Sequence, residues 1–355
     1  LNNLVQFNHD SATVVSASVD SLVAIAPRQG STGPVSVTTT AGTADGPVFT
    51  YTDSVDVYVA GPALGVVYWK NGKQVFLEST QGNFGGAYGI AVVDTDVYVG
   101  SFTYFTTPSP YYYAAAYWKN GKKILLTTPD HAAQVRALVV AGKDIYLGGS
   151  ENDTPIYWKN GGGYPLPRVG SGFARVTGMA VSGNDVYAAG FESGNNNEYI
   201  ATYWKNGVRN TLSTHGPIDL ADTSITVNGN DIYVSGIDSG NAVYWKNGNK
   251  VILDRIALGV APPMANAISI NNNSIYVAGG FQGGAVYWKD GNRVILPSRS
   301  PSGAEAYALA FYQSDIYVAG RDGSGVVYWK NGVEVTLCCS LLGEARAITV
   351  VKSPL

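Results

Sequence analysis

Two arginines, two tyrosines and one histidine are the residues here whose types and placement could do chemistry. His131 precedes Arg136, and Tyr88 occupies the matching place in the preceding copy of a repeat. A His or Tyr base beside an arginine that neutralises a uronate is what a polysaccharide lyase needs, so His131, Tyr88 and Arg136 form one candidate catalytic set. The other histidines, His9 and His215, have no such company. No zinc spacing, phosphate loop or calcium loop occurs, so neither a metal nor a cofactor is expected. Acidic residues such as Glu78, Glu151, Glu192 and Asp254 show no motif. A glycosidase pair is defined in space, and sequence leaves it open.

A binding site is the stronger reading. When the repeats are set in register, one position holds Tyr88, Arg136, Thr177, Thr223, Asn266, Tyr307 and Arg346, each followed by Gly, Ala or Ser. Two guanidiniums and two phenols in one arc could hold a carboxylate, a sulfate or an array of sugar hydroxyls. The competing reading leaves them solvated or paired with Glu305 and Glu344. A long loop, Ser101 to Ala116, adds Tyr104, Phe105, Tyr111, Tyr112 and Tyr113, with Pro108 and Pro110 stiffening it. Such rings suit a sugar or a protein partner, or they pack the loop onto its neighbour. Cys338 and Cys339 are adjacent, so they form either two thiols or a vicinal disulfide.

These residues are positioned by a repeat. Tyr-Trp-Lys-Asn-Gly, or a one-residue variant, starts at Tyr68, Tyr117, Tyr157, Tyr203, Tyr244, Tyr287 and Tyr328, and it contains all seven tryptophans. A string of the type Asp-Ile-Tyr-Val-Ala-Gly precedes each copy, from Asp56, Asp96, Asp144, Asp185, Asp231, Ser274 and Asp315. Each unit decodes into four strands, with Asn-Gly as the two-residue hairpin between the third and fourth. Four strands in about 40–45 residues is the period of a propeller blade. The array begins at a second strand and ends with an extra first strand, Ala345 to Val350. The expectation is an all-β, seven-bladed β-propeller over residues 53–355, in which the C-terminal strand completes the first blade. Closure removes the edges an open array would leave. The register position lies on the innermost strand, and so should ring the channel mouth. The variable loops should gather on that face. The repeated Asp reads as a turn-stabilising group bonding local backbone N–H, and the repeated Lys as solvated.

Bulk properties narrow the partners. The 355 residues are 45% hydrophobic and 14% charged, with net charge −3 and a pI near 5.6. A nucleic-acid partner would call for a basic face. No apolar run reaches the length of a membrane span. The chain starts at Leu1, so a signal peptide or lipid anchor is expected to have been removed or to lie outside this sequence.

Residues 1–52 carry none of the repeat strings. Phe7-Asn8, Ala12-Thr13-Val14-Val15-Ser16-Ala17-Ser18 and Thr32-Gly33-Pro34-Val35-Ser36-Val37-Thr38-Thr39 resemble the later part of an IPT/TIG immunoglobulin-like domain. The family's opening strands are missing, so this partial Ig-like β-sandwich segment should take its missing strands from another segment or subunit. The resemblance implies a secreted or bacterial cell-surface protein, in which such modules act as spacers or adhesion modules. The function expected is a non-enzymatic glycan-binding module. The alternatives are a lyase-like polysaccharide enzyme on the same face and a scaffold for a surface protein partner.

Overall fold

The computed structural model describes residues 3–27, 32–49, 54–63, 65–79, 86–105, 112–194, 199–213, 223–300, 303–338 and 343–353. It is all-β: no described residue is helical. The chain divides into two compact units, with boundaries at Val55/Asp56 and Val351/Lys352.

In the larger unit, each repeat forms one four-stranded antiparallel sheet in sequence order, from Gly89–Val93 through Lys122–Leu125 up to Glu305–Tyr312 through Val333–Cys338. A further sheet joins Ala347–Lys352 to Val55–Pro62, Gly65–Lys70 and Lys73–Ser79. The last strand thus pairs with the first of the repeats. Arg346 N–H donates to the Ala60 carbonyl at 2.8 Å. Sheets of this type, arranged one after another, make the unit propeller-like.

The repeat motif explains each sheet. Asn160 and Gly161 adopt φ of 50° and 89°, and the other copies behave alike, as a two-residue hairpin requires. The Asn also clamps the second strand. Asn160 Oδ1 accepts the Ile145 N–H at 2.9 Å, and its Nδ2 donates to Asp144 at 2.7 Å. Lys159 completes the clamp at 2.7 Å from Asp144, with its ammonium 5.1 Å from the Tyr146 ring centroid. The same contacts recur at Asp56, Asp96, Asp185, Asp231 and Asp315. At Asp96, Asp144 and Asp231 the lysine first, and then the asparagine, holds the carboxyl below the usual carboxylate range. The repeated Asp therefore bonds across to the next hairpin, not to local backbone, and the repeated Lys is ion-paired, not merely solvated.

One copy is inverted. Ser274 replaces the Asp and Asp290 replaces the Asn, yet Asp290 still accepts the Ile275 N–H at 2.8 Å. A single carboxylate is kept per hairpin, on the opposite strand.

Every Trp is 0–1% exposed. Each described cluster packs a Trp back onto the preceding sheet: Trp118 lies with Tyr58, Ala60 and Val66, and Trp158 with Tyr98, Ala115 and Tyr117. Trp204, Trp245, Trp288 and Trp329 repeat the arrangement. Burial of such large rings ties neighbouring sheets together.

The second strand carries a glycine at a fixed place for a steric reason. A Cβ on Gly149 would lie 1.7 Å from the Gln134 carbonyl oxygen, and one on Gly61 1.7 Å from that of Glu344. Gly190, Gly279 and Gly320 face Arg175, Met264 and Glu305 in the same way. In the copy where Ser101 stands instead, its hydroxyl donates to the Gly86 carbonyl at 2.6 Å. Beside this approach the first strand bulges, between Val135 and Ala137, Val176 and Gly178, Ala265 and Ala267, and Ala306 and Ala308.

The smaller unit has a sheet ordered Asp10–Ser11, Leu4–Phe7, Gly33–Thr39, Gly42–Phe49, and a separate pair, Thr13–Ala17 with Leu22–Ile25. Its core is slight: Val5 and Phe7 are buried, and Phe7 meets Phe49 edge-on at 4.8 Å.

Two outcomes test this account. Ser274→Asp alone sets two carboxylates across one hairpin and should lower stability in urea. Adding Asp290→Asn should restore it, with a coupling of about 1 kcal/mol or more. Additive effects would show that the hairpin clamp is not a unit. Gly149→Ala should cost about 2 kcal/mol or more by overpacking against the Gln134 carbonyl. Gly162→Ala, whose nearest neighbour is 3.4 Å away, should stay within about 0.5 kcal/mol.

Candidate functional site

The bulge decides what the first strand presents. An extra residue in one strand re-aims its side chain, and the residues at the four bulges are Arg136, Thr177, Asn266 and Tyr307. These four, with Tyr88 and Arg346, line a single cavity of about 240 Å³. The seventh expected residue, Thr223, is not part of the lining, and its neighbour Ser224 takes its place. Residues from the first strand of every sheet meet there, so the register inferred from sequence identifies a real juxtaposition.

The ring is not uniform. On one side lies a dense polar network. Tyr307 hydroxyl lies 3.0 Å from Glu305 and 3.2 Å from Glu344, and it accepts from Arg321 Nε at 2.8 Å. Asn266 donates to Glu305 at 3.0 Å and to the Ala306 carbonyl at 2.9 Å. Arg346 donates from Nε to Glu344 at 2.6 Å and stacks 4.0 Å from the Tyr307 ring centroid. Burial, reinforced by Glu305, pushes the Tyr307 phenol well above its ordinary value, so it stays protonated. Pairing with Glu305 and Glu344, one of the two readings open from sequence, is the one found here.

On the next strands, Thr177 and Thr223 face each other, their hydroxyl oxygens 2.7 Å apart. Thr223 is 4% exposed. Its hydroxyl serves this contact and does not reach the cavity.

The remaining side is aromatic and cationic. The Arg136 guanidinium lies 4.0 Å from the Tyr88 ring centroid and 5.6 Å from that of Phe102. Tyr88 stacks on Phe102 at 5.9 Å, and Tyr104 and Tyr113 close the group at 5.4 and 5.8 Å from Phe102. Arg136 donates from Nε and Nη2 to the Gln134 amide oxygen, at 3.2 and 2.8 Å. Burial raises the Tyr104 phenol above its usual value.

Both flanks of the segment expected as a loop are strand, while residues 106–111 lie outside the described residues. Asp96–Phe105 and Tyr112–Lys119 are strands, with Tyr104 opposite Tyr113 and Phe105 opposite Tyr112. The cross-strand pairing runs on as far as Phe105 and Tyr112, and Tyr104 and Tyr113 pack against Phe102. Tyr111 and the side chain of Tyr112 lie outside the described residues, as do Cys339 and with it the vicinal disulfide. Phe102, Gln134 and Arg321 were missed. Gln134 and Arg136 differ by two positions on one strand, which was the available signal.

Two residues of the lyase set are brought together. Tyr88 and Arg136 stack, but His131 is absent from the cavity lining. Its Nδ1 instead meets Glu151. Other acidic residues are also taken: Glu78 by Lys123, Glu192 by Arg209 and Asp254 by Arg293, at 3.1, 2.7 and 2.8 Å. Among the described residues no group of three or more His, Cys, Asp or Glu side chains could hold a metal ion.

No protein-family model matches the chain, and no curated protein does. Among solved structures, similarity is found to the computationally designed Ika8 protein, at 16% identity over 92% of this chain and 96% of that one, with a TM-score of 0.44. A chain of the nidogen/laminin complex matches at 12% identity over 84% and 98%, TM-score 0.46. TolB from Acinetobacter baumannii matches at 12% over 67% and 62%, TM-score 0.39. None of these carries information on a ligand.

The His131–Glu151 contact has a measurable consequence. The hydrogen bond to Glu151 raises the imidazole above its usual value of 6.5. Its contribution to stability is therefore full below 6.5 and fades as pH rises through the raised value. An NMR titration should find His131 still protonated above 6.5, and Glu151→Gln should bring it back down. An unchanged midpoint in that variant would remove Glu151 as the cause.

Proposed function

We propose that this chain is a glycan-binding module of a secreted or surface-anchored bacterial protein, built on a seven-bladed β-propeller whose last strand completes the first blade. One observation carries the reading of function. At one register position the repeats differ, and six of the seven differing side chains line a single cavity, where Tyr88, stacked on Phe102, forms part of the wall. A sugar offers an apolar face to a ring such as Tyr88 and hydroxyls to polar neighbours, which is the pairing this wall provides. The propeller reading is supported by one four-stranded sheet per repeat and by the pairing of Ala347–Lys352 with Val55–Pro62. Location at a bacterial surface, and an Ig-like spacer role for residues 1–52, rest on the IPT/TIG resemblance.

The constant residues have structural work, in hairpins and between sheets, and are poor candidates for recognition. A glycan-array screen of the purified chain tests the proposal. Binding to defined glycans is expected, and Tyr88→Ala should weaken it about tenfold through loss of the stacking face. No binding to any glycan would reject the reading. Release of unsaturated uronate products from a bound glycan would move the function to a lyase.

A further inference from the structure

The arginines at the cavity differ in what they are paired with. Arg321 and Arg346 share the network of Glu305 and Glu344. Arg136 has a different partner. The residue two positions before Arg346 is Glu344, and two before Tyr307 it is Glu305, but two before Arg136 it is the neutral Gln134. The contacts to Arg136 are that amide oxygen and two aromatic faces. No carboxylate meets it among the described residues. On the adjacent sheet the corresponding residue is Arg175, itself a cation, buried beside Phe173 and Phe191.

The hydrogen-bond inventory of Arg136 is equally specific. A guanidinium has five N–H donors in a planar fork. Gln134 takes Nε and one hydrogen of Nη2. What remains is the Nη1 pair and the second Nη2 hydrogen, the end-on fork that grips a carboxylate through two parallel bonds. Stacking on Tyr88 fixes the plane of the fork, and the residue lines the cavity.

We infer that the cavity selects an acidic saccharide, one whose sugar carries a planar carboxylate, and that Arg136 receives that carboxylate. The inference rests on the glycan-binding reading and narrows it. Arg321 and Arg346 meet Glu305 and Glu344, whereas Arg136 meets no carboxylate among the described residues, so its charge is the one open to a monoanion. A doubly charged phosphate would find in Arg136 one cation without a carboxylate partner among the described residues. Gln134 is a positioning residue: it orients the fork without neutralising it.

The test compares the wild-type chain with Arg136→Gln, Arg136→Lys and Gln134→Glu on an array holding uronate, sialate, sulfated and neutral glycans. Carboxylated glycans should dominate the hits. Their methyl esters should bind at least about tenfold more weakly in calorimetry, the loss expected for a hydrogen bond to a charged group. Arg136→Gln should produce a similar loss, and Arg136→Lys a smaller one, since an ammonium keeps the charge but not the fork. Gln134→Glu recreates the Glu344–Arg346 arrangement, so it should fold with an unchanged melting temperature and lose carboxylated glycans alone. Hits that are all neutral or sulfated would overturn the inference while leaving glycan binding intact. Carboxylated hits that bind Arg136→Gln and Gln134→Glu as tightly as wild type would do the same. An empty array would reject both.

Discussion

A backbone carbonyl of the first strand sits where a side chain of the second strand would otherwise be, and much else depends on this approach. The Gln134 oxygen would be 1.7 Å from a Cβ on Gly149, a separation no larger residue tolerates. With glycine there, the first strand can bulge, and the bulged residue turns toward the axis of the unit. Arg136, Thr177, Asn266 and Tyr307 all owe their placement to this device. In these four copies a glycine that gives backbone clearance on one strand accompanies the bulge that places the neighbouring strand's side chain at the cavity. The Ser101 copy shows the constraint from the other side, because its hydroxyl bonds the carbonyl that glycine elsewhere accommodates.

Rigidity comes from different contacts. Tryptophans buried against the preceding sheet hold the sheets in sequence, and the Asp–Asn–Lys clamp fastens each third-to-fourth hairpin to the second strand. The clamp lysines are about two-fifths exposed, so their ion pairs add little net energy. Their value is geometric, since the Asn carboxamide bonds both a backbone N–H and the carboxylate. The inverted copy, Ser274 with Asp290, keeps the backbone bond and gives up the pairing to an Asp across the hairpin. That backbone bond is the shared element.

Against this uniform frame, the cavity is asymmetric. Carboxylates compensate the guanidiniums on one side, threonines satisfy each other on the next, and an arginine held by an amide lies over an aromatic stack on the third. A ring of repeats would by itself produce a symmetric surface. The asymmetry resides in the register residue and in the one two positions before it, which vary from copy to copy while the clamp does not.

The sequence by itself determined the number of repeats, the hairpin at Asn-Gly and the seven register residues, because each follows from local spacing or from a φ value only certain residues adopt. It also placed six of those seven residues around one cavity, through their common offset from the repeat. Which of them are already bonded to partners was decided by tertiary structure. Thr177 meets Thr223 and Tyr307 meets Glu344 from different sheets, so nothing in local spacing announces those bonds. The segment around Tyr104 and Tyr113 reads as a loop because proline and aromatic residues interrupt the repeat, yet cross-strand pairing extends both strands into it. His131 lies near Arg136 in sequence, yet its imidazole meets Glu151, which pairs with Ala133 across the two strands. Local chemistry fixed what each residue can do; only the packing of separate sheets decided which partners had already claimed it.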